Sequence, residues 1–284
     1  MINMNCDLHS HTVHSDGSYT PRELVLAAKE KNLIIALTDH NTTSGLSDFL
    51  SEAEREGVTA VSGSELSTDY RGREFHLIGL FIEPEHYEKL ESLCTGFLEL
   101  KEISNIDLVN KLAGAGYRID YERVRQRNIK GKANRAHIAA ELVKCGYVSS
   151  VSEAFEKLLH ERCGYYVPPK RLDVSDAIRF LKSIGAVTVL AHPLKEIGGE
   201  ELRLMLPELI SAGLDAIETM HSSYTEEQIA LSKAIAAEFD LLESGGSDFH
   251  GAMKPGVDLG TGKGNLNIPE EIYQKLLDRK MENQ

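Results

Sequence analysis

Asn5-Cys6-Asp7-Leu8-His9, Leu33-Ile34-Ile35-Ala36-Leu37-Thr38 and Val58-Thr59-Ala60-Val61-Ser62 are three short, mainly apolar runs, and amphipathic stretches at residues 21–32 and 44–56 separate them. Short apolar runs suit strands and longer periodic ones suit helices, so this segment reads strand, helix, strand, helix, strand. Thr20 caps the first helix, with Pro21 in its first turn and Glu23 completing a capping box, and Gly57 closes the second. A further extended stretch, 74–82, follows an expected turn at 69–72. Strands alternating with helices of this length imply a parallel sheet, either closed as a barrel or open and doubly wound.

Downstream the pattern changes. Residues 84–167 carry helical periodicity at 86–101, 103–115, 136–145 and 151–159 with hardly any strand signal. Alternation then resumes: helix 174–183, strand 186–190, helix 200–212, strand 215–219, helix 226–239 and a short strand near Leu241. A last helix, 269–280, is expected to pack outside the sheet. One domain, formed by residues 1–83 and 168–284 and split by a helical insertion at 84–167, explains this order better than two tandem domains.

Composition sets limits on function. At 284 residues, 42% hydrophobic and 26% charged, the chain can bury a substantial core. No apolar run approaches the roughly 20 residues of a membrane helix, and the N-terminus shows no secretory signal, so a cytoplasmic location is expected. Four cysteines without paired spacing suggest neither disulfides nor a thiolate zinc site. A net charge of -13 argues against a broad grip on duplex nucleic acid. Part of that charge belongs to carboxylates that a bound cation would neutralise.

Chemistry enters where polar residues fall at the ends of expected strands: His9 and His11, Asp39 and His40, Glu65, His76, His192, and Asp248 with His250. In a parallel barrel those ends share one rim, the face that carries active sites. A lone buried histidine is ordinarily a hydrogen-bonded core residue, but a converging set is a metal centre in kind. Imidazoles and carboxylates without thiolate favour manganese, iron or zinc. Their number exceeds one ion's needs and implies two or three divalent cations, with a carboxylate such as Glu65 bridging two of them. Asp39 is expected to point away from the ions and orient a ligand imidazole.

Asp7-Leu8-His9-Ser10-His11 with Ser15-Asp16-Gly17, Thr38-Asp39-His40, Ala191-His192-Pro193 and Ser247-Asp248-Phe249-His250 resemble, in order, the motifs of the PHP (polymerase and histidinol phosphatase) family. The resemblance implies a distorted (β/α)7 TIM-like barrel with a small inserted helical domain and a trinuclear metal site. By that resemblance His9, His11, Glu65 and Asp248 hold one ion, Glu65, His76 and His192 a second, and Asp16, His40 and His250 a third. It also implies a metal-dependent phosphoesterase of the stand-alone type, a group that includes nucleotide phosphatases and a 5'-to-3' exoribonuclease. Clustered cations lower the pKa of a bridging water, so a metal-bound hydroxide is the expected nucleophile. Neither a GxSxG nor a P-loop pattern offers a rival.

Gly131-Lys132-Ala133-Asn134-Arg135-Ala136-His137 opens an expected helix, where N–H groups and the dipole favour an anion. Related phosphoesterases carry an Arg-x-His motif there, so Arg135 and His137 are expected substrate contacts. His221, beyond the strand ending at Thr219, is the candidate proton donor or substrate contact. Tyr165 and Tyr166 could stack on a base or pack as a hinge, and Lys170 and Arg171 add local positive charge. His14, His86 and His160 receive no role. The leading expectation is hydrolysis of a small phosphorylated metabolite, most of all a 3',5'-bisphosphate nucleotide. Its rivals are a phosphodiesterase acting on a cyclic phosphate or on the 5' end of short RNA, and a non-catalytic metal- and phosphate-binding module.

Overall fold

A computed structural model describes residues 4–126 and 133–283. Gly131 and Lys132, the first residues of the expected anion-binding helix start, lie outside the described residues. The first part contains β1 (Asn5–Asp7), α1 (Pro21–Glu30), β2 (Leu33–Leu37), α2 (Leu46–Glu56), β3 (Ala60–Tyr70) and β4 (Arg73–Leu80). The helical part contains α3 (Tyr87–Gly114), α4 (Tyr121–Arg125), α5 (Arg135–Lys144) and α6 (Val151–Ala154). Then follow β5 (Leu172–Asp173), α7 (Val174–Ser183), β6 (Val187–Ala191), α8 (Pro193–Glu196), α9 (Gly199–Ala212), β7 (Ala216–His221), α10 (Glu226–Glu238), β8 (Leu242–Gly246) and α11 (Glu270–Glu282). No helix among the described residues is long and apolar enough to cross a membrane.

The strands run β1-β2-β3-β4-β6-β7-β8, with short β5 set against β3. The sequence implies a parallel sheet, but the sheet is mixed. β4 lies antiparallel to both β3 and β6. Arg71 and Gly72, both at positive φ, join β3 to β4 in a tight turn, and a parallel neighbour would need a crossover far longer than that. Pairing with β4 also carries β3 well past the expected end at Ser62. Beyond β1 and β8 the backbone closes the circle through Leu8 N–H to Gly245 O (3.0 Å), Asp248 N–H to His9 O (2.9 Å) and His11 N–H to Phe249 O (2.9 Å). The result is a distorted (β/α)7 barrel.

Inward-facing residues of the strands, among them Cys6, Ile34, Ala36, Val61, Ile78, Val189 and Ala216, form one core. Ile272 and Leu276 of α11 belong to that same core. The last helix therefore closes one end of the barrel instead of lying on its outer face: Ile272 and Leu276 enter the core while Lys280 Nζ donates to Gly185 O and Asn283 Nδ2 to Ala186 O, just before β6 begins. A separate core joins Leu108 and Leu112 of α3, Ile138 and Leu142 of α5, and Leu159 and Tyr166 of the segment after α6. α3 is a single helix where periodicity suggests two, since no breaker separates Lys101 from Ile103. Its first half buries Leu90 and Cys94 in the barrel layer and its second half Leu108 and Leu112 in the insertion. The buried residues of both halves share one face, while apolar Leu100, Ile103 and Ile106 lie exposed off it and blur the periodicity in sequence.

Candidate metal centre

His9 and His11 follow β1, Asp16 lies in the loop to α1, His40 follows β2, Glu65 sits within β3, His192 follows β6, and Asp248 and His250 follow β8. His76 arrives differently. Because β4 is antiparallel, it reaches the same rim from near the start of its strand, paired with Ser67 of β3 and Ala191 of β6. Potential ligand atoms come within 4.8 Å of one another in four overlapping groups: His11, Asp16, His40 and His250; His9, Glu65 and His192; His9, His11 and Asp248; and His40, Glu65 and His76. All nine residues named from sequence as ligands occur in these groups.

Glu65 is the hub. Its Oε1 accepts from His76 Nδ1 at 2.8 Å and His192 Nε2 at 3.2 Å, and its Oε2 lies 3.2 Å from His9 Nε2, 3.3 Å from His11 Nε2 and 3.0 Å from His40 Nδ1. Burial disfavours its charge, yet the imidazoles of His40, His9 and His76 hold its pKa well below the usual range. Burial likewise opposes the charged forms of Asp16 and Asp248. His250 and His40 around Asp16, and Lys254 and His250 around Asp248, nevertheless keep both pKa values well below the usual range. Burial also disfavours the His11 imidazolium, but Asp248 and Glu65 outweigh it and raise its pKa to about 10. In His40 desolvation wins over Glu65 and Asp16, and its pKa falls to about 3.

These residues fit divalent cations on a direct observation. His9 Nε2, both ring nitrogens of His11, His40 Nδ1, Glu65 Oε2 and His192 Nδ1 are buried without a hydrogen-bond partner. Unsatisfied buried polar atoms are costly, and here they converge on one another. Imidazole nitrogens and carboxylate oxygens aimed at a shared point are what a divalent cation requires. Two glycines make the approach feasible. A Cβ on Gly246 would fall 2.3 Å from His9 Cβ, and one on Gly17 would fall 2.4 Å from the His11 carbonyl oxygen.

The surrounding residues correct or extend the sequence reading. Asp39 touches no ligand ring: its carboxylate takes Thr12 N–H at 2.8 Å, Thr12 Oγ1–H at 2.5 Å and the Ser15 hydroxyl, so it fixes the loop between His11 and Asp16. His221 is buried, with Nε2 3.2 Å from Asp248 Oδ2 and Nδ1 2.7 Å from Ser223 Oγ. Lys254 Nζ reaches the same Asp248 oxygen at 2.5 Å. Arg135, at the start of α5, donates to Glu74 at 3.1 Å and lies 4.2 Å from the Tyr166 ring centre. Tyr166 therefore packs under a guanidinium instead of standing open to a base. His137 is buried, and its Nδ1 accepts the Asn134 N–H as part of the helix cap.

Arg171 is buried and donates to Glu74 at 2.6 Å, so its charge is built into the site and is no loose junction residue. Burial lowers the pKa of Lys101 on α3, against the pull of Asp16 and Glu74. Sequence reading missed Glu74, Lys101, Glu218 and Lys254. For Glu218 a signal exists, since a carboxylate inside the buried run Ala216–His221 must have a polar partner.

Residues 7–160 match the PHP domain model. A 5'-3' exoribonuclease of Haemophilus influenzae is 32% identical over 86% of this chain and 89% of its own length. The phosphoribosyl 1,2-cyclic phosphate 1,2-diphosphodiesterase of Eggerthella lenta is 33% identical, covering 86% and 94%. The 3',5'-nucleoside bisphosphate phosphatase of Chromobacterium violaceum is 30% identical over 96% of both chains. A Bifidobacterium adolescentis structure assigned to the metal-dependent phosphoesterases superposes with a TM-score of 0.86 at 29% identity, covering 97% of this chain and 96% of its own. With the family model matched over more than half its length and relatives aligned nearly end to end, this chain belongs to the PHP domain family and is a metal-dependent phosphoesterase.

Proposed function

We propose that this chain hydrolyses a small phosphorylated metabolite, with nucleotides carrying a second phosphate, such as 3',5'-bisphosphates, as the leading class. The observation that carries this reading is the placement of Arg135 and Arg171, both joined to Glu74, beside the ring of His76, whose Nε2 lies 3.6 Å from the same carboxylate. One phosphate would sit among the nine ligand residues while the guanidiniums, with Lys101, take a second anion. The bisphosphatase relative, aligned over 96% of both chains, supports that assignment.

The nine residues would hold two or three divalent cations, drawn from manganese, iron and zinc, which supply Lewis acidity and an activated water. Around them the protein's own groups act as follows. Glu65 joins the groups, Asp248 shares its Oδ2 with His221 and Lys254, and His221 holds a proton for the leaving oxygen. His137, through its cap, fixes the turn that presents Arg135. We take residues 84–167 as an insertion between barrel parts 1–83 and 168–284, its separate core supporting that division.

A second reading is favoured by the two diesterase relatives: action on a cyclic phosphate or on the 5' end of short RNA. Assays of mono-, bis- and cyclic phosphates and short RNA with added manganese separate the two. Preferential turnover of a bisphosphate supports the first, and steady release of nucleotides from RNA overturns it.

A further inference from the structure

We infer that Glu218, a buried carboxylate on β7, is a positioning residue that orients two of the metal-ligand histidines at once. The inference rests on the reading of His9 and His192 as ligands. Glu218 Oε1 lies 3.1 Å from His9 Nδ1, and its Oε2 accepts the backbone N–H of His192 at 2.8 Å. Each oxygen is thereby committed to a different ligand, one following β6 and one following β1, which lie on opposite sides of β7 around the closed barrel.

The His9 contact selects a tautomer. A carboxylate at Nδ1 keeps the proton there, so the lone pair of Nε2 faces inward toward Glu65 Oε2, 3.2 Å away. His9 belongs to two of the four ligand groups, which makes its ring orientation matter twice. The His192 contact fixes a backbone. His192 has φ 32° and ψ 47°, a left-handed conformation that an L-residue adopts only when its surroundings enforce it. Its N–H bond to Glu218 supplies that enforcement and aims the ring at the centre.

Local strand geometry explains how Glu218 gets there. Register shifts between Glu218 and Met220 against β8, the signature of a bulge. Residues 218 and 221 would face opposite sides of a regular strand. The bulge turns His221 back to the same rim, so one strand delivers both Glu218 to His9 and His221 to Asp248. Glu218 is itself buried beneath the ligand shell and acts through other residues.

The test is manganese titration of the EDTA-stripped full chain by calorimetry, with the melting temperature of the stripped protein measured alongside. In Glu218→Gln the volume is kept, but an amide nitrogen must face either His9 Nδ1 or the His192 N–H. The tightest manganese affinity is expected to fall by about 10- to 100-fold, with fewer ions bound, while the stripped protein melts as the wild type does. Glu218→Asp keeps the charge but is too short to reach both partners, so its loss is expected to be intermediate, and it serves as the test if the glutamine variant does not fold. Wild-type affinity and stoichiometry in the folded variants would overturn the inference while leaving the metal centre intact. So would a melting loss in stripped protein that accounts for the weaker binding. Wild-type protein that takes up no manganese would overturn the metal reading itself.

Discussion

A single carboxylate, Glu65, faces five imidazoles, and its two oxygens are divided among them. Glu65→Gln keeps the size but removes the charge that balances this array, and the amide presents a donor to rings whose lone pairs should face inward. Phosphoesterase activity is expected to fall by more than about 100-fold, and metal content per chain, measured by elemental analysis, should fall with it. Undiminished metal content would refute the hub role. Gly246 constrains the same place sterically. With a Cβ 2.3 Å from His9 Cβ, Gly246→Ala must push β8 from the segment after β1, and overpacking of this kind costs about 1 to 3 kcal/mol. A lower melting temperature with impaired manganese uptake is expected, and an unchanged melting curve would show that the strands yield freely. At this scale the clustering of the candidate ligands was legible because His and Asp recur where expected strands end. Glu74 was not, because a lone acidic residue near a turn shows nothing of its partner, and Glu218 in its apolar run signals only that a polar partner exists, not which one.

Elements explain why the site is more complete than any strand order read from sequence. Alternation of strands and helices was legible in residues 5–62, where caps and apolar runs are local signals. The antiparallel β4 was not, because β3 was expected to end at Ser62 and so not to reach the turn at 69–72, and that same reversal brings His76 and Glu74 to the rim from a strand's first residues. α3 was read as two helices because apolar Leu100, Ile103 and Ile106, exposed off its buried face, blur the period between halves that serve different cores. α5 is the element that bears most directly on the proposed substrate contact, since its first residue is Arg135 and its cap is reciprocal between Asn134 and His137. Asn134→Ala removes the side-chain acceptor and is expected to cost about 1 kcal/mol of stability. Arg135 would lose its fixed origin. KM is therefore expected to rise more than kcat falls in steady-state assays, with a modest drop in melting temperature. A kcat loss without a KM change would place Arg135 elsewhere in the reaction.

For the whole molecule, the rim concentrates charge that the fold must balance with protons or with metal. Burial opposes protonation of His11 and His76, but the carboxylates around them, Asp248 and Glu65 at His11 and Glu65 and Glu74 at His76, raise their pKa values from 6.5 to about 10 and about 9. Raised values in the folded state mean that their contribution to stability is complete below pH 6.5 and is lost as pH climbs toward 9 and 10. Asp16, Glu65 and Asp248 have the opposite sign: their lowered values give stability above the ordinary carboxylate range that is lost only in acid. His40 and His192, whose pKa values burial lowers, stay neutral and add nothing to the loss above pH 6.5. Stripped protein should therefore melt at progressively lower temperature from pH 6.5 to about 9. Metal competes with these protons and binds the deprotonated rings, so the loaded protein should hold its melting temperature over that interval. The gap between loaded and stripped protein, followed by scanning calorimetry, is expected to widen with pH. A gap that stays constant across the interval would mean that cations and protons do not share these sites.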